Sequence, residues 1–289
     1  MYYMLLFSVI AASFNSVVLN KARVRKKEDV FPFNLIVSLI WLIILFIVNK
    51  GHISALPEIL FWGILYGLTQ TCFILFKTAA MSTGSVSVTT LIGNSSLLIS
   101  IFVSLIVWKE KITAADIIGL AVLAIAIFMC TYTKNPDLST THTPSWKYFA
   151  VFFLIFAAGV GIVFKAFGKS GNIEYCGDMM FISSLVMLVS NLVICCFTGG
   201  LTSQIFASRG RSFVAFAVLS GILSCLYNRL NVFLAGNMDA LIFFPTFNGG
   251  VLFLSAALSA FICRERLQIT QLIGLAAGIS AICLIGILY

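Results

Sequence analysis

The sequence predicts an all-α integral membrane protein of ten transmembrane helices, arranged as two inverted five-helix repeats. Three observations predict it. The first is composition: of 289 residues, 61% are hydrophobic and 10% charged, with a mean hydropathy of +1.08, whereas a soluble domain carries about a quarter charged residues. The second is spacing. Apolar stretches of about 20 residues recur along the whole chain, and at about 1.5 Å per residue each can cross a hydrocarbon core roughly 30 Å thick. The third is a gap-free repeat: residues 86–125, shifted by 155 positions, land on residues 241–280. The shift superposes Leu97, Ser100, Ser104, Glu110, Ile118, Gly119, Leu120 and Ala121 on Leu252, Ser255, Ser259, Glu265, Ile273, Gly274, Leu275 and Ala276. Each half then holds an odd number of spans, so the second half enters from the opposite side and the repeat is inverted.

The first span, residues 2–19, contains Asn15, lacks a basic segment before it and runs straight into five basic residues between Lys21 and Lys27. It therefore reads as a retained helix rather than a cleaved signal. The second span, 33–48, follows Pro32, a residue tolerated in the first turn of a helix. In the third, 57–81, Tyr66, Gln70 and Lys77 are spaced to share one face. In the fourth, 86–108, Thr89, Gly93, Ser96, Ser100 and Ser104 form a stripe at intervals of three or four residues. Such a stripe either lets two helices approach closely or lines a polar cavity.

The fifth span, 114–133, closes the first repeat, residues 1–133. The polar segment 134–145 is the linker, and the second repeat is 146–289. Its spans are 146–168, 177–197, 212–235, 240–263 and 269–288. The eighth holds Asn228, Arg229 and Asn231 well inside its length, and the ninth opens with Phe243, Phe244 and Phe247 around Pro245. Pro245 and the pair Gly249-Gly250 are expected to break the ninth helix and free backbone groups.

Both copies of the repeat end in a charged clamp, Trp108-Lys109-Glu110-Lys111-Ile112 and Cys263-Arg264-Glu265-Arg266-Leu267, followed seven or more residues later by Gly119 or Gly274. These paired clamps resemble the drug/metabolite transporter superfamily, of the ten-helix EamA-like type, and the resemblance covers nearly the whole chain. The family's usual clamp has Gly before the Glu, a place taken here by Lys109 and Arg264. The resemblance implies a carrier whose helices 1, 3, 4, 6, 8 and 9 surround a central path while helices 5 and 10 pack outside. It strengthens the lining reading of the stripe and of its counterpart Asn248, Ser255 and Ser259.

The net charge of +8 comes from short basic clusters beside apolar spans, which orient a membrane protein rather than bind nucleic acid. Eleven Lys and Arg (Lys21 to Lys27, Lys134, Lys147, Arg209, Arg211, Arg264, Arg266) fall on one side and four (Lys50, Lys109, Lys111, Lys169) on the side of the termini. That count places both termini outside, whereas the resemblance implies termini inside. The eight Cys are mostly within apolar spans and without metal or redox spacing. His52 and His142 are loop residues with no acid cluster, phosphate loop or nucleophile elbow nearby, so neither an enzyme, a cofactor nor a metal is expected.

All ten acidic residues lie in loops or near span ends, while Lys77, Lys165 and Arg229 lie inside spans. An ionised base there costs roughly 2.5–3.5 kcal/mol unless paired or hydrated. Each Lys either snorkels to the interface or serves a polar path; the donor fork of Arg229 suits a carboxylate or phosphate. The expected activity is secondary transport of a small polar or amphipathic metabolite (amino acid, nucleobase or organic anion) by alternating access. A neutral, zwitterionic or anionic solute is expected over a lipophilic cation. The candidate substrate-binding residues are Asn15, Tyr66, Gln70, Lys77, Thr89, Gly93, Lys165, Asn228, Arg229, Phe244 and Asn248. The alternatives are a flippase for a lipid-linked substrate and a non-transporting receptor or structural protein. The expected partners are a small-molecule substrate and the lipid bilayer, for a monomer or homodimer spanning a cell membrane several times, as in a bacterial inner or plasma membrane.

Overall fold

The computed structural model of the protein describes residues 1–22, 27–83, 86–110, 112–131, 145–198, 203–262 and 269–287. Among them all regular structure is helical. In chain order the helices are α1 (Tyr2–Ala22), α2 (Lys27–Val48), α3 (Pro57–Thr83), α4 (Val86–Val107), α5 (Ala114–Thr131), α6 (Trp146–Lys169), α7 (Cys176–Thr198), α8 (Ser203–Asn237), α9 (Ala240–Phe244), α10 (Gly250–Ile262) and α11 (Ile269–Ile287). Eight helical stretches among the described residues are long and apolar enough to cross a membrane, and two shorter apolar ones run over Asp116–Met129 and Ile269–Ala281. Their outward faces carry large apolar side chains such as Phe102, Ile106, Phe197 and Phe261, each more than half exposed. Water would not tolerate so broad an apolar surface. A bilayer requires it, and helices suit it because each satisfies its own backbone.

The helix limits differ from the sequence expectation where local chemistry intervenes. α2 begins six residues early, at Lys27, with Pro32 accommodated near its first turns. α8 is longer than its apolar span because a helical segment joins it across Gly210, whose φ of +67° breaks the axis there. The ninth span is not one uniform helix: Pro245 has no N–H to donate backward, and Pro245–Gly249 form a π-helical turn between α9 and α10. The linker up to residue 144 and the second clamp, including Glu265, lie outside the described residues.

The helices pair in a pattern that survives exchange of the halves. α3 packs on α6 and α1 on α8; α4 packs on α6 and α1 on α10; α3 packs on α7 and α2 on α8. α2 with α7 and α5 with α11 pair across the exchange with themselves. Gly168 of α6 and Gly236 of α8 meet backbone to backbone, and a side chain on either would occupy the other's main chain.

Along one face of α8, Ser220, Ser224, Asn228 and Asn231 tie three other helices to it. Ser220 Oγ donates to Asn15 Oδ1 at 2.7 Å, Trp41 Nε1 to Ser224 Oγ at 2.8 Å, Tyr66 OH to Asn228 Oδ1 at 3.4 Å, and Ser8 Oγ to Asn231 Oδ1 at 2.6 Å. Bonds of this kind between membrane helices contribute about 0.6–2 kcal/mol each. Together they fix the position of α8 beside the bundle interior.

Candidate functional site

A cavity of about 340 Å³ lies between α3, α4, α6, α8 and α9 with its π-helical turn. Four turns of α3 supply Gln70, Phe73, Lys77 and Met81, which recur at three or four residues and therefore share one face. α4 supplies its small-residue stripe. Gly93, Ser96 and Ser100 line the cavity, yet the same stripe also packs: a Cβ on Gly93 would sit 2.5 Å from the Phe153 ring of α6, and Ser100 Oγ donates to the Ala158 carbonyl at 3.2 Å. The packing and lining readings of the stripe thus describe one surface. The π-helical turn rotates Asn248 and Phe247 to the same side as Phe243 and Phe244, and all four line the cavity. Turns of this type are frequent at functional sites because the extra residue re-aims side chains.

The walls are aromatic. Phe243 and Phe247 stack at 5.9 Å, Tyr227 stands 6.1 Å from Phe247, and Phe73 lies 5.5 Å from Phe153. Most polar groups of the lining are bonded to their own helices or to neighbours, and three stand out. Lys77 Nζ sits 5.7 Å from the Phe73 ring centroid, and among the described residues no carboxylate lines the cavity. The Gln70 side-chain oxygen and the Asn94 side-chain nitrogen are buried without a hydrogen-bond partner among the described residues. Native interiors leave few such atoms, and each calls for a reason.

An ion pair stands behind one end of the cavity wall. Lys165, fully buried on α6, pairs with Glu110 of the first clamp. It also donates to the Met238 carbonyl at 3.4 Å and lies 5.9 Å from the Trp108 ring centroid. The other Glu110 oxygen, Oε2, accepts the Ala240 N–H at the start of α9 from 2.9 Å. The clamp can reach because Lys109 adopts φ +52°, which turns the chain sharply after α4. Beyond it, Thr113 N–H donates to Asp116 Oδ2 at 2.8 Å and Asp116 N–H to Thr113 Oγ1 at 3.3 Å, a reciprocal cap that starts α5. Phe164 and Phe243, which line the cavity, are one residue from Lys165 and three from Ala240. The latch therefore lies directly behind the cavity wall, where all five residues of α9 are buried.

Of the residues expected to bind substrate, Gln70, Lys77, Gly93, Asn228, Phe244 and Asn248 are brought together in the cavity lining. Tyr66 stands behind it, its ring 4.9 Å from Phe164. Thr89 accepts a hydrogen bond from Trp146 Nε1 at 3.2 Å. Asn15 joins α1 to α8, and α1 supplies no residue to the lining. Lys165 is the latch cation. Arg229 is outside the lining; its carbonyl accepts the Cys176 thiol at 3.9 Å. Sequence reasoning passed over Asn94, Tyr227 and Asn231 as site residues. Asn231 was recoverable, being three residues from Asn228 on the same helical face, whereas Asn94 stands one position off the stripe and gave no periodic signal.

The model of the EamA-like transporter family matches residues 1–132. No curated protein sequence matches. Among solved structures 28 chains match, and one crystal structure of a protein superposes with a TM-score of 0.77 at 10% identity, covering 99% of this chain and 96% of the other. At that identity the likeness establishes a shared fold across the whole length.

Proposed function

We propose that the chain, whose residues 1–132 match the model of the EamA-like transporter family, is a secondary carrier for a small polar or amphipathic metabolite, working by alternating access. The observation that carries the reading is a cavity lined by helices of both halves, with a latch that joins the halves behind one end of its wall. Glu110 comes from the first half, Lys165 and Ala240 from the second, so opening that end requires the halves to separate there. The 155-residue repeat and the exchangeable helix pairs support ten spans in two inverted halves, with α5 and α11 as the outer pair. The volume of about 340 Å³ is near the lower bound of small-molecule sites, roughly 300–1,000 Å³. It suits a free metabolite better than a lipid-linked one.

The test is reconstitution. Purified protein in liposomes is expected to show saturable, counter-substrate-stimulated uptake of at least one member of a panel of amino acids, nucleobases and organic acids. Absence of flux across the whole panel would favour the receptor or structural alternative.

A further inference from the structure

We propose that the cavity is built for an amphipathic monoanion bound in one orientation: a carboxylate held by Lys77 and Asn94, an apolar body among the phenylalanines, and a hydrogen-bond donor at the far end that meets Gln70. The inference rests on the carrier reading only in taking this cavity as the substrate site. Its ground is the set of unanswered groups. Among the described residues Lys77 is the single cation in the lining, and no acid accompanies it. The Asn94 side-chain nitrogen is a second buried donor without a partner among the described residues. Two donors match the two oxygens of one carboxylate. A phosphate dianion would bring a second charge with no cation to meet it, and an ammonium group would face Lys77 with no carboxylate in the lining to offset the repulsion.

The orientation follows from the helices. Lys77 is six residues from the end of α3 at Thr83, and Asn94 eight from the start of α4 at Val86, so the charged pole is the one nearer the α3–α4 connection. Gln70 lies seven residues, two turns, deeper along the same face of α3, about 10 Å at 1.5 Å per residue. Its side-chain oxygen can only accept, and it is buried without a donor among the described residues. The rings of Phe73, Phe153, Phe243, Phe244 and Phe247 supply the apolar lining around these poles. A solute with an aryl body, a carboxylate at one end and a hydroxyl or N–H about 10 Å away answers all three orphaned groups at once.

The probes are para-hydroxyphenylpropanoate, its primary amide, phenylpropanoate and tyramine, titrated calorimetrically against the purified full chain. The hydroxy acid is expected to bind about ten- to a hundredfold more tightly than its amide, the difference a charge-assisted bond makes. Lys77→Gln is expected to erase that ratio, weakening the acid far more than the amide. Loss of the para-hydroxyl is expected to weaken binding severalfold in the wild type and not in Gln70→Ala. Asn94→Asp, which sets a like charge beside the carboxylate, is expected to invert the preference between the hydroxy acid and tyramine, and serves if Lys77→Gln does not fold. The proposal is overturned if tyramine binds at least as tightly as the acid, if the acid-to-amide ratio survives Lys77→Gln, or if none of the four binds. Lys77-dependent binding of the acid without flux in liposomes would sink the carrier reading and leave the site standing; flux of tyramine in preference to the acid would do the reverse.

Discussion

Lys165 and Lys77 lie on α6 and α3, two helices that pack against each other, and they solve the same problem in opposite ways. Lys165 is sealed in, fully buried, with Glu110, the Trp108 ring and the Met238 carbonyl around its amine. Lys77 is half-buried, rests against the Phe73 ring and faces a cavity that contains no carboxylate. Either position costs roughly 2.5–3.5 kcal/mol for an unpaired charge. The protein offsets that cost internally for Lys165, whereas in the site proposed above a ligand would offset it for Lys77. A base inside an apolar span is thus not one kind of signal, and its partner decides whether it holds the fold or serves the site.

The sharpest way to break this contrast is to remove the charges separately. Lys165→Gln, or Glu110→Gln, strands the other member of a buried pair and is expected to cost about 3–5 kcal/mol, seen as a large drop in the thermal midpoint in detergent. The double substitution strands nothing and is expected to recover part of that loss. Lys77→Gln breaks no ion pair among the described residues and is expected to stay within about 1 kcal/mol of wild type. Additive losses at Glu110 and Lys165, or a Lys77→Gln loss as large as theirs, would erase the distinction.

Much of this was legible in the residues. The all-helical membrane architecture came from hydropathy, and the break at Pro245 from a missing donor. The shared face of Gln70 and Lys77 came from helical period, and both residues do line one cavity. The latch was not legible. Glu110 and Lys165 stand 55 positions apart in different repeats, and periodicity relates residues within a helix, never across helices. Snorkelling and a place in the polar path were therefore the two accounts of Lys165, and its pairing with Glu110 emerges only from the packing of α6 beside the clamp. Arg229 shows the converse: its depth and fork suggested a binding role, but Asn228 next to it takes the cavity-facing position, and neighbours on a helix point about 100° apart.

Gly93 sharpens the other half of the comparison, the claim that the Lys77 cavity is a shaped site and not a packing defect. A methyl group there would sit 2.5 Å from the Phe153 ring, so Gly93→Ala must push that ring or α4 aside. Overpacking of this kind typically costs about 1–3 kcal/mol. The displaced ring is itself part of the cavity wall, so affinity for a bound solute should fall along with stability. A thermal shift and a titration on the same sample check both. If stability falls and affinity does not, Phe153 is a packing residue only.

The smallest expected effect tests how the latch is presented. Lys109 holds φ at +52°, a left-handed conformation that costs a residue with a Cβ about 1–2 kcal/mol and glycine almost nothing. The family to which this clamp bears its resemblance usually has glycine there, which this geometry accounts for: the chain must reverse sharply for Glu110 to reach Lys165 and the Ala240 N–H. Lys109 is itself exposed, so its side chain adds little to offset the strain. Lys109→Gly relieves the strain but also frees the unfolded chain, which returns part of the gain. The net expectation is stabilisation of up to about 1 kcal/mol, a shift of a few degrees at most, with the Glu110–Lys165 coupling unchanged in a double-mutant cycle. A loss of stability instead would mean that the Lys109 side chain holds the clamp in place, and the latch would then extend one residue further toward the membrane surface.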